Sequence, residues 1–199
     1  MINQIKSKSP WVIIMIGPPL SVKTSWINKN FDPSEYELVS RDQIVVDVHG
    51  ENDYNVAFKS VDQKEVDRIL TKRLTDVGMS SKNAIVDMTH MGRKRRKQNL
   101  SFFKNHYKVA VIFPILTESE YQRRNDKRTS EERKTIPIWI IKNIIDSYLT
   151  ISHEEGFDKV YSIWFLVIFP YICLLIKNKW KLLGSQLFFF WLLVFFLFF

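Results

Sequence analysis

The residues between positions 17 and 24 are the part of the sequence whose types and spacing indicate chemistry most clearly. Gly17, Lys23 and Thr24 match the first glycine, the lysine and the hydroxyl position of the pattern G-x-x-x-x-G-K-[ST]. In such a loop, backbone N–H groups at a helix start point at phosphate oxygens, the lysine reaches the β- and γ-phosphates, and the hydroxyl binds Mg²⁺. The pattern predicts that ATP and Mg²⁺ are bound by a phosphate loop, which consists of Gly17, Pro18, Pro19, Leu20, Ser21, Val22, Lys23 and Thr24.

Val22 stands where the pattern has its second glycine. A β-branched residue does not readily adopt glycine-only backbone angles, and its methyl groups crowd a loop that must wrap around a phosphate. Weakened ATP binding or an inactive kinase is therefore one interpretation of this position. A chance turn before a helix that carries an ordinary surface lysine is the alternative interpretation of the whole loop.

Two acidic residues lie at or directly after the ends of predicted strands. Asp42 ends the triplet Ser-Arg-Asp, and a kinase that acts on an alcohol needs such a carboxylate to accept the hydroxyl proton. Capping of the helix that begins at Gln43 is the alternative role for Asp42. Asp87 ends the next strand and is expected to hold Mg²⁺, directly or through water. Asp42 and side chains close to the two acids are predicted to contact the substrate. The full set is Arg41, Asp42, Thr89 and His90.

Two basic segments favour a ligand that carries phosphates. Five consecutive cations at residues 93–97 oppose the dipole of the helix they start, so local helix stability does not explain them. Contacts of Arg93 and its neighbours to a nucleic acid would explain them, and a solvated helix face is the alternative. Residues 118–134 form a predicted lid in which Arg124 and Arg128 share one helix face and stabilise a transferring phosphoryl group. An ordinary ion-paired helix is the other interpretation of the lid.

The elements that must position these residues alternate along the chain. Short apolar runs rich in β-branched residues predict strands, and the segments between them have helical periodicity, most clearly over residues 56–77. This alternation predicts an α/β fold with a parallel sheet flanked by helices, of the P-loop NTPase type, with a helical lid. The predicted strands cover residues 11–16, 36–40, 84–87, 108–113 and 159–163.

The character of the sequence changes near residue 163. Residues 1–162 mix charges, turns and apolar positions, whereas residues 163–199 are almost wholly apolar and contain no acid. We therefore expect a P-loop kinase domain over residues 1–162 and a hydrophobic carboxyl-terminal tail over residues 163–199. The tail is interpreted either as a membrane segment or as out-of-frame sequence, because its two apolar pieces are short for a bilayer-spanning helix of about 20 residues.

The motifs together resemble those of a known family. The segments G-P-P-L-S-V-K-T, S-R-D, D-M-T-H and R-R-N-D-K-R, followed by Ile-Pro, are similar in order and spacing to the kinase domain of phage polynucleotide 5′-kinases. The likeness covers residues 12–163 and is strongest to phage and bacterial proteins described as ATP-binding kinases. It implies transfer of a phosphoryl group from ATP to the 5′-hydroxyl of a nucleic acid.

The resemblance also implies roles for single residues. Lys23 and Thr24 match the phosphate-loop pair, Asp42 matches the general base, and Arg128 matches the lid arginine that contacts the β- and γ-phosphates. Val22 departs from the family pattern, and so does His90, which replaces the usual asparagine of D-x-T-N.

Composition limits the cellular context without fixing the substrate. The net charge of +8 suits a partner that carries phosphates. The single cysteine, Cys173, excludes an internal disulfide framework, and no zinc-site spacing occurs. Residues 1–10 are polar and do not form a secretory signal, so we expect a cytoplasmic location, with association to a membrane through the tail as the alternative.

Three functions remain compatible with these residues. The first is a polynucleotide 5′-hydroxyl kinase that takes part in nucleic-acid end repair. The second is a small-molecule or toxin-like kinase on the same scaffold, because fold does not fix the substrate. The third is an inactive nucleotide-binding module anchored to a membrane by the tail. The basic run at residues 93–97 favours the first, since only a phosphate backbone requires it.

Overall fold

The computed structural model describes residues 1–50, 53–132 and 135–163. Residues 1–162 form one compact unit and residues 163–199 a second, of which only Ile163 is described. Both interpretations of the hydrophobic tail therefore lie outside the described residues. Within the described ranges, no helix is both long and apolar enough to cross a bilayer.

Five parallel strands form one sheet, as the alternation of apolar runs predicts. Each strand begins and ends within one residue of its predicted position. Numbered in chain order, the strands are arranged in space as β2-β3-β1-β4-β5, so the chain crosses over between them. The strands are β1 (Trp11–Ile16), β2 (Glu37–Ser40), β3 (Ala84–Asp87), β4 (Tyr107–Ile112) and β5 (Lys159–Ser162).

Strand β1 lies at the centre of the sheet, and all six of its residues are buried. Burial on both faces explains why this strand is apolar throughout instead of alternating. Val12, Ile14 and Ile16 pack into a core that includes Leu70 and Leu74 of a flanking helix. The core thereby fixes the carboxyl end of β1, where the phosphate loop begins.

Helices connect the strands. Those in the described part of the chain are α1 (Ile2–Lys6), α2 (Lys23–Asn30), α3 (Arg41–His49), α4 (Tyr54–Ser60), α5 (Gln63–Met79), α6 (Arg93–Leu100), α7 (Glu118–Glu132) and α8 (Ile138–Asp146), with short 3-10 turns at Pro33–Glu35 and His153–Glu155.

The single helix predicted over residues 56–77 is wrong, because the structure contains two helices, α4 and α5. Asp62 separates them by acting as the N-cap of α5, where its carboxylate accepts a hydrogen bond from the Lys64 N–H at 2.9 Å. A side chain that satisfies the first free N–H groups of a helix favours a new start at that position. The apolar periodicity continues across the break, so it does not reveal the break.

Candidate functional site

The phosphate loop joins the carboxyl end of β1 to the start of α2. Two of its residues adopt left-handed backbone angles: Leu20 has a φ of 62° and Val22 a φ of 66°. Such angles are typical of glycine and cost other residues roughly 1–2 kcal/mol each. The loop therefore makes the turn that the second glycine of the pattern would make, but makes it with valine. Left-handed residues in a loop help to turn N–H groups into a concavity that binds anions.

Close contacts hold the loop in place. A Cβ atom at Gly17 would lie 2.8 Å from Cβ of Phe113, so a larger residue does not fit at this position. The Lys23 side chain is buried, and its Nζ donates to the carbonyls of Gly17 and Pro18 at 3.0 and 2.7 Å. Ser21 Oγ is also buried, and it has no hydrogen-bond partner within the described ranges. The loop thus contains one buried ammonium and one unsatisfied hydroxyl.

Thr24 and Asp87, the residues predicted to hold Mg²⁺, are in contact. Thr24 lies in the first turn of α2, and its Oγ1 donates to Oδ2 of Asp87, the last residue of β3, at 3.4 Å. Both side chains offer the oxygen ligands that Mg²⁺ prefers, and Mg²⁺ often binds through one carboxylate, waters and substrate phosphates. Among the described residues, no group of three or more His, Cys, Asp or Glu could hold a metal ion. Mg²⁺ at this pair would therefore depend on phosphate and water for its other ligands.

Asp42 lies in the first turn of α3, just beyond the end of β2. Ser40 ends that strand opposite Asp87 of β3, which places the start of α3 at the same edge of the sheet as the Mg²⁺ pair. The capping role considered for Asp42 belongs to Ser40, whose Oγ accepts from the Gln43 N–H. The Asp42 side chain is exposed and accepts a hydrogen bond from the Tyr54 hydroxyl at 2.9 Å. An exposed, oriented carboxylate is what a general base requires.

Arg41, the neighbour of Asp42, is engaged by helix α5. Its Nε donates to Asp67 Oδ1 at 3.1 Å, and its Nη2 donates to Gln63 Oε1 at 2.7 Å. These contacts tie the start of α3 to α5. A substrate contact of Arg41 stays a prediction, and it would have to be made in addition to this pairing.

Helix α7, the predicted lid, contacts the phosphate loop directly. Arg124 Nη1 donates to the Leu20 carbonyl at 2.8 Å, while its Nε donates to Glu120 Oε1 at 2.6 Å. Hydrogen bonds from Arg123 and then Arg124 hold the pKa of Glu120 at about 2, so this carboxylate stays ionised. Arg124 therefore binds the backbone of the loop at Leu20, one of its two left-handed residues.

Arg128, one helical turn further along α7, lies near the proposed base. Burial raises the pKa of the Tyr54 hydroxyl well above its usual value, and the Asp42 carboxylate raises it further, whereas the positive charges of Arg41 and Arg128 lower it. The charge of Arg128 therefore acts on the same hydroxyl that binds Asp42. Arg124 therefore contacts the loop, whereas the charge of Arg128 acts on the Tyr54 hydroxyl.

Thr89 contacts the phosphate loop, and its neighbour His90 is buried next to strand β1. The Thr89 carbonyl accepts the Gly17 N–H at 3.0 Å. The His90 ring is buried, with Nδ1 2.8 Å from the Met15 carbonyl and Nε2 2.8 Å from Nδ2 of Asn99. Since a carbonyl only accepts, Nδ1 carries the ring proton, and Nε2 accepts from Asn99. Burial lowers the pKa of His90 to about 4, so the ring is neutral at pH 7. Both ring nitrogens are occupied, and the ring does not face solvent.

The basic run at residues 93–97 divides into two kinds of side chain. Arg93, Lys94, Arg95 and Lys97 are exposed, but Arg96 is fully buried. Arg96 Nε and Nη2 donate to the two carboxylate oxygens of Glu155 at 2.6 and 2.8 Å, and further bonds reach the carbonyls of His90, Met91 and Leu149. The interpretation of all five cations as a phosphate-binding surface is therefore wrong for Arg96, because burial and a carboxylate partner remove it from the surface.

Sequence reasoning missed two residues that shape this site, Tyr54 and Glu155, and it missed the backbone conformation of Leu20. Leu20 has left-handed angles like Val22, and the signal for it was only its place in a glycine-rich type of loop. Tyr54 belongs to no motif, and its contact with Asp42 joins two different helices, α4 and α3. Glu155, the partner of Arg96, is 59 residues away in sequence, and no local pattern indicates that pairing.

Comparison with known proteins agrees with this fold. The sequence pattern of a family described as AAA domain matches residues 12–148. A chain in the structure of the Pnkp1/Rnl/Hen1 RNA repair complex is similar in fold, with a TM-score of 0.57 and 20% sequence identity. The match covers 70% of this chain and 44% of that chain, so this chain spans less than half the length of that relative.

Two further solved structures have a similar fold. A proposed kinase from Chloroflexus aurantiacus is 12% identical with a TM-score of 0.55, and the match covers 86% of this chain and 98% of that one. A structure from the PezAT chromosomal toxin–antitoxin system of Streptococcus pneumoniae is 14% identical with a TM-score of 0.56, over 81% of this chain and 72% of that one. At these identities the likeness establishes the P-loop kinase-like fold alone.

Proposed function

The chain belongs to the AAA domain family, and from this premise we propose that it is an ATP-dependent phosphotransferase that acts on the 5′-hydroxyl end of a nucleic acid. The observation that supports the proposal best is the contact between Thr24 and Asp87 at the mouth of the phosphate loop. It places a hydroxyl and a carboxylate beside Lys23, at the strand ends where ligands bind in open parallel sheets.

The loop residues fit a bound triphosphate. Ser21 Oγ is a buried hydroxyl that a phosphate oxygen would satisfy, and Lys23 carries a buried positive charge in the same loop. The start of α2 adds its N–H groups and the positive end of its dipole. Mg²⁺ held by Thr24 and Asp87 would neutralise phosphate charge when bound.

The proposed reaction assigns each remaining residue a task. The substrate hydroxyl oxygen forms a bond to the γ-phosphorus of ATP as the bond from that phosphorus to ADP breaks, and the hydroxyl proton passes to Asp42. Tyr54 orients the Asp42 carboxylate through its 2.9 Å hydrogen bond. Arg128 supplies positive charge near the transferring group, where a fixed cation stabilises the transition state. Arg124 fixes the lid to the loop through the Leu20 carbonyl.

A nucleic acid is favoured as substrate by the exposed part of the basic run. Four cations of α6 remain on the surface after Arg96 is removed from the set. Exposed cations on one helix supply the sequence-independent contacts that bind a phosphate backbone. The motif resemblance to polynucleotide 5′-kinases points to the same substrate. A small alcohol would need none of these contacts.

Phosphorylation of a 5′-hydroxyl oligonucleotide by the full chain, with ATP and Mg²⁺, tests the proposal. We expect Asp42→Asn to lower the rate by about 10²- to 10⁴-fold, because the general base is lost. Asp47→Asn is a matched control on the same helix, since Asp47 pairs with Gln43 and Arg73 and should leave the rate unchanged. Phosphorylation of small alcohols but not of oligonucleotides would overturn the nucleic-acid assignment and favour a small-molecule or toxin-like kinase. ATP binding without turnover on any hydroxyl would support the inactive-module alternative.

A further inference from the structure

Helix α4 carries two stacked aromatic rings, and one of them contacts the proposed base, Asp42. Tyr54 and Phe58 are one helical turn apart, and their ring centroids are 5.8 Å apart with the planes inclined by 27°, so the rings stack. The Tyr54 hydroxyl binds Asp42, and the Tyr54 ring packs against the core. Phe58, stacked on the partly buried Tyr54, is itself 45% exposed. Tyr54 therefore contacts Asp42 through its hydroxyl and the exposed ring of Phe58 through its own ring.

Hydrogen bonds hold this pair in position from two sides. Gln63 Nε2 donates to the Phe58 carbonyl at 2.9 Å, and Gln63 Oε1 accepts from Arg41 Nη2 at 2.7 Å. The start of α4 is fixed by Asp53, whose carboxylate accepts from the Asn55 and Val56 N–H groups. A rigid aromatic surface loses little entropy when a flat ligand stacks on it.

We propose that Tyr54 and Phe58 form a stacking subsite for the nucleobase of the 5′-terminal nucleotide, with Phe58 as the contact surface. This inference rests on the proposed function. Aromatic side chains bind bases of single strands by stacking, and they do so without regard to sequence because every base has a π-face. Tyr54 links the proposed subsite to the proposed base, because its hydroxyl binds Asp42 and its ring stacks on Phe58. The positive charges of Arg41 and Arg128 that act on Tyr54 suit the adjoining phosphate backbone.

Alternative explanations of the exposed ring are less specific. Scattered apolar side chains on a surface are normal, and Val56 on the same helix is equally exposed, at 45%. Val56 has no aromatic stack and no link to Asp42 through a hydrogen-bonded ring among the contacts described here. Val56 is therefore the matched control for Phe58.

Binding of single-stranded oligonucleotides with a 3′ fluorescent label tests the subsite without requiring turnover. Two oligonucleotides are compared with the full chain by fluorescence anisotropy: one has an intact 5′-terminal nucleotide with a free hydroxyl, and the other lacks only that terminal base. Phe58→Leu should weaken binding of the intact oligonucleotide by about 5- to 100-fold, equivalent to about 1–3 kcal/mol of stacking, and leave the abasic one unchanged. Phe58→Trp should retain binding, and Val56→Ala should alter neither.

The outcomes separate this inference from the proposed function. If the wild-type chain binds both oligonucleotides equally, or if Phe58→Leu weakens both to the same extent, the stacking subsite is wrong while a nucleic-acid kinase stands. If the wild-type chain binds neither oligonucleotide and phosphorylates neither, the nucleic-acid substrate is wrong and the subsite falls with it.

Discussion

The phosphate loop and the buried polar cluster that adjoins it differ in how their polar groups are satisfied. The loop holds Leu20 and Val22 at left-handed angles, and among the described residues its Ser21 Oγ has no hydrogen-bond partner. The cluster, which consists of Arg96, Glu155, His90 and Asn99, also contains a left-handed residue, His90 with a φ of 47°, yet its buried charges and ring nitrogens are hydrogen-bonded.

This difference indicates how strain is tolerated at the site. Backbone strain of roughly 1–3 kcal/mol for each unusual residue persists only when the surroundings determine the conformation. The cluster supplies such surroundings, because Arg96 holds the carbonyls of His90 and Met91 while the adjoining Thr89 carbonyl accepts the Gly17 N–H. We therefore expect changes in the cluster to affect mainly stability, and changes in the loop to affect mainly ligand binding.

Arg96→Met should cause the largest loss of stability. Removing Arg96 leaves the buried Glu155 carboxylate with only the longer ion pair to Arg93, at 3.5 Å, and the Ser152 N–H, so we expect a loss of up to about 3–5 kcal/mol in the free energy of unfolding. Urea unfolding of the full chain measures the loss. Arg95→Met removes an exposed cation from the same helix and should change stability by no more than about 0.5 kcal/mol. Equal losses in the two variants would show that burial of Arg96 contributes nothing.

His90 should make stability depend on pH between about 6.5 and 4. Burial lowers the pKa of His90 to about 4, so the unfolded chain binds a proton more readily than the folded chain in this range. Stability is therefore highest above pH 6.5 and falls as the pH decreases toward 4, by up to about 1.4 kcal/mol per pH unit for one proton. His90→Gln should flatten this dependence without abolishing it, because burial also lowers the pKa of His106. An unchanged slope in His90→Gln would contradict a neutral, buried His90.

Arg124→Ala should weaken ATP binding by about tenfold. The change removes the hydrogen bond to the Leu20 carbonyl, and bonds that involve a charged group contribute about 1.5–3 kcal/mol. Arg123→Ala provides the control on the same helix, because Arg123 bonds to Glu120 and its side chain is 65% exposed. Calorimetric titration with ATP and Mg²⁺ measures the affinity of both variants. Equal affinities would show that the contact between Arg124 and the Leu20 carbonyl does not affect ATP binding.

Val22→Gly should have the smallest effect and the opposite sign. Glycine adopts a φ of 66° without strain, which gains about 1–2 kcal/mol, but it also gives the unfolded chain more freedom, which costs about 0.4–1 kcal/mol. A net gain of about 0.5–1 kcal/mol and tighter ATP binding are expected. Thermal unfolding with and without ATP measures both effects. A loss of stability in Val22→Gly would show that the left-handed conformation costs valine nothing.

Much of the fold follows from local patterns. The five strands are predictable because buried parallel strands are continuous apolar runs bounded by turns, and the lid because α7 carries charges at helical spacing. The break between α4 and α5 is not predictable from periodicity, since Asp62 interrupts the helix without interrupting the apolar pattern.

The candidate site was predictable only where a sequence motif lies at the carboxyl end of a predicted strand. That rule placed Thr24 against Asp87 and Asp42 near the same edge of the sheet. It did not separate Arg96 from its four exposed neighbours, because burial of one cation depends on Glu155, which is distant in sequence. The contact of Tyr54 with Asp42 was likewise hidden, since it depends on where α4 packs.

The most direct test of the account is calorimetric titration of the full chain with ATP and Mg²⁺, compared with Lys23→Ala and Lys29→Ala. Lys29 lies on the same helix as Lys23 but is exposed, so it is the matched control. We predict that the wild-type chain and Lys29→Ala bind ATP alike and that Lys23→Ala loses at least about tenfold in affinity. ATP binding that is absent from the wild-type chain, or equally strong in Lys23→Ala, would contradict the claim that this strained loop is a phosphate site.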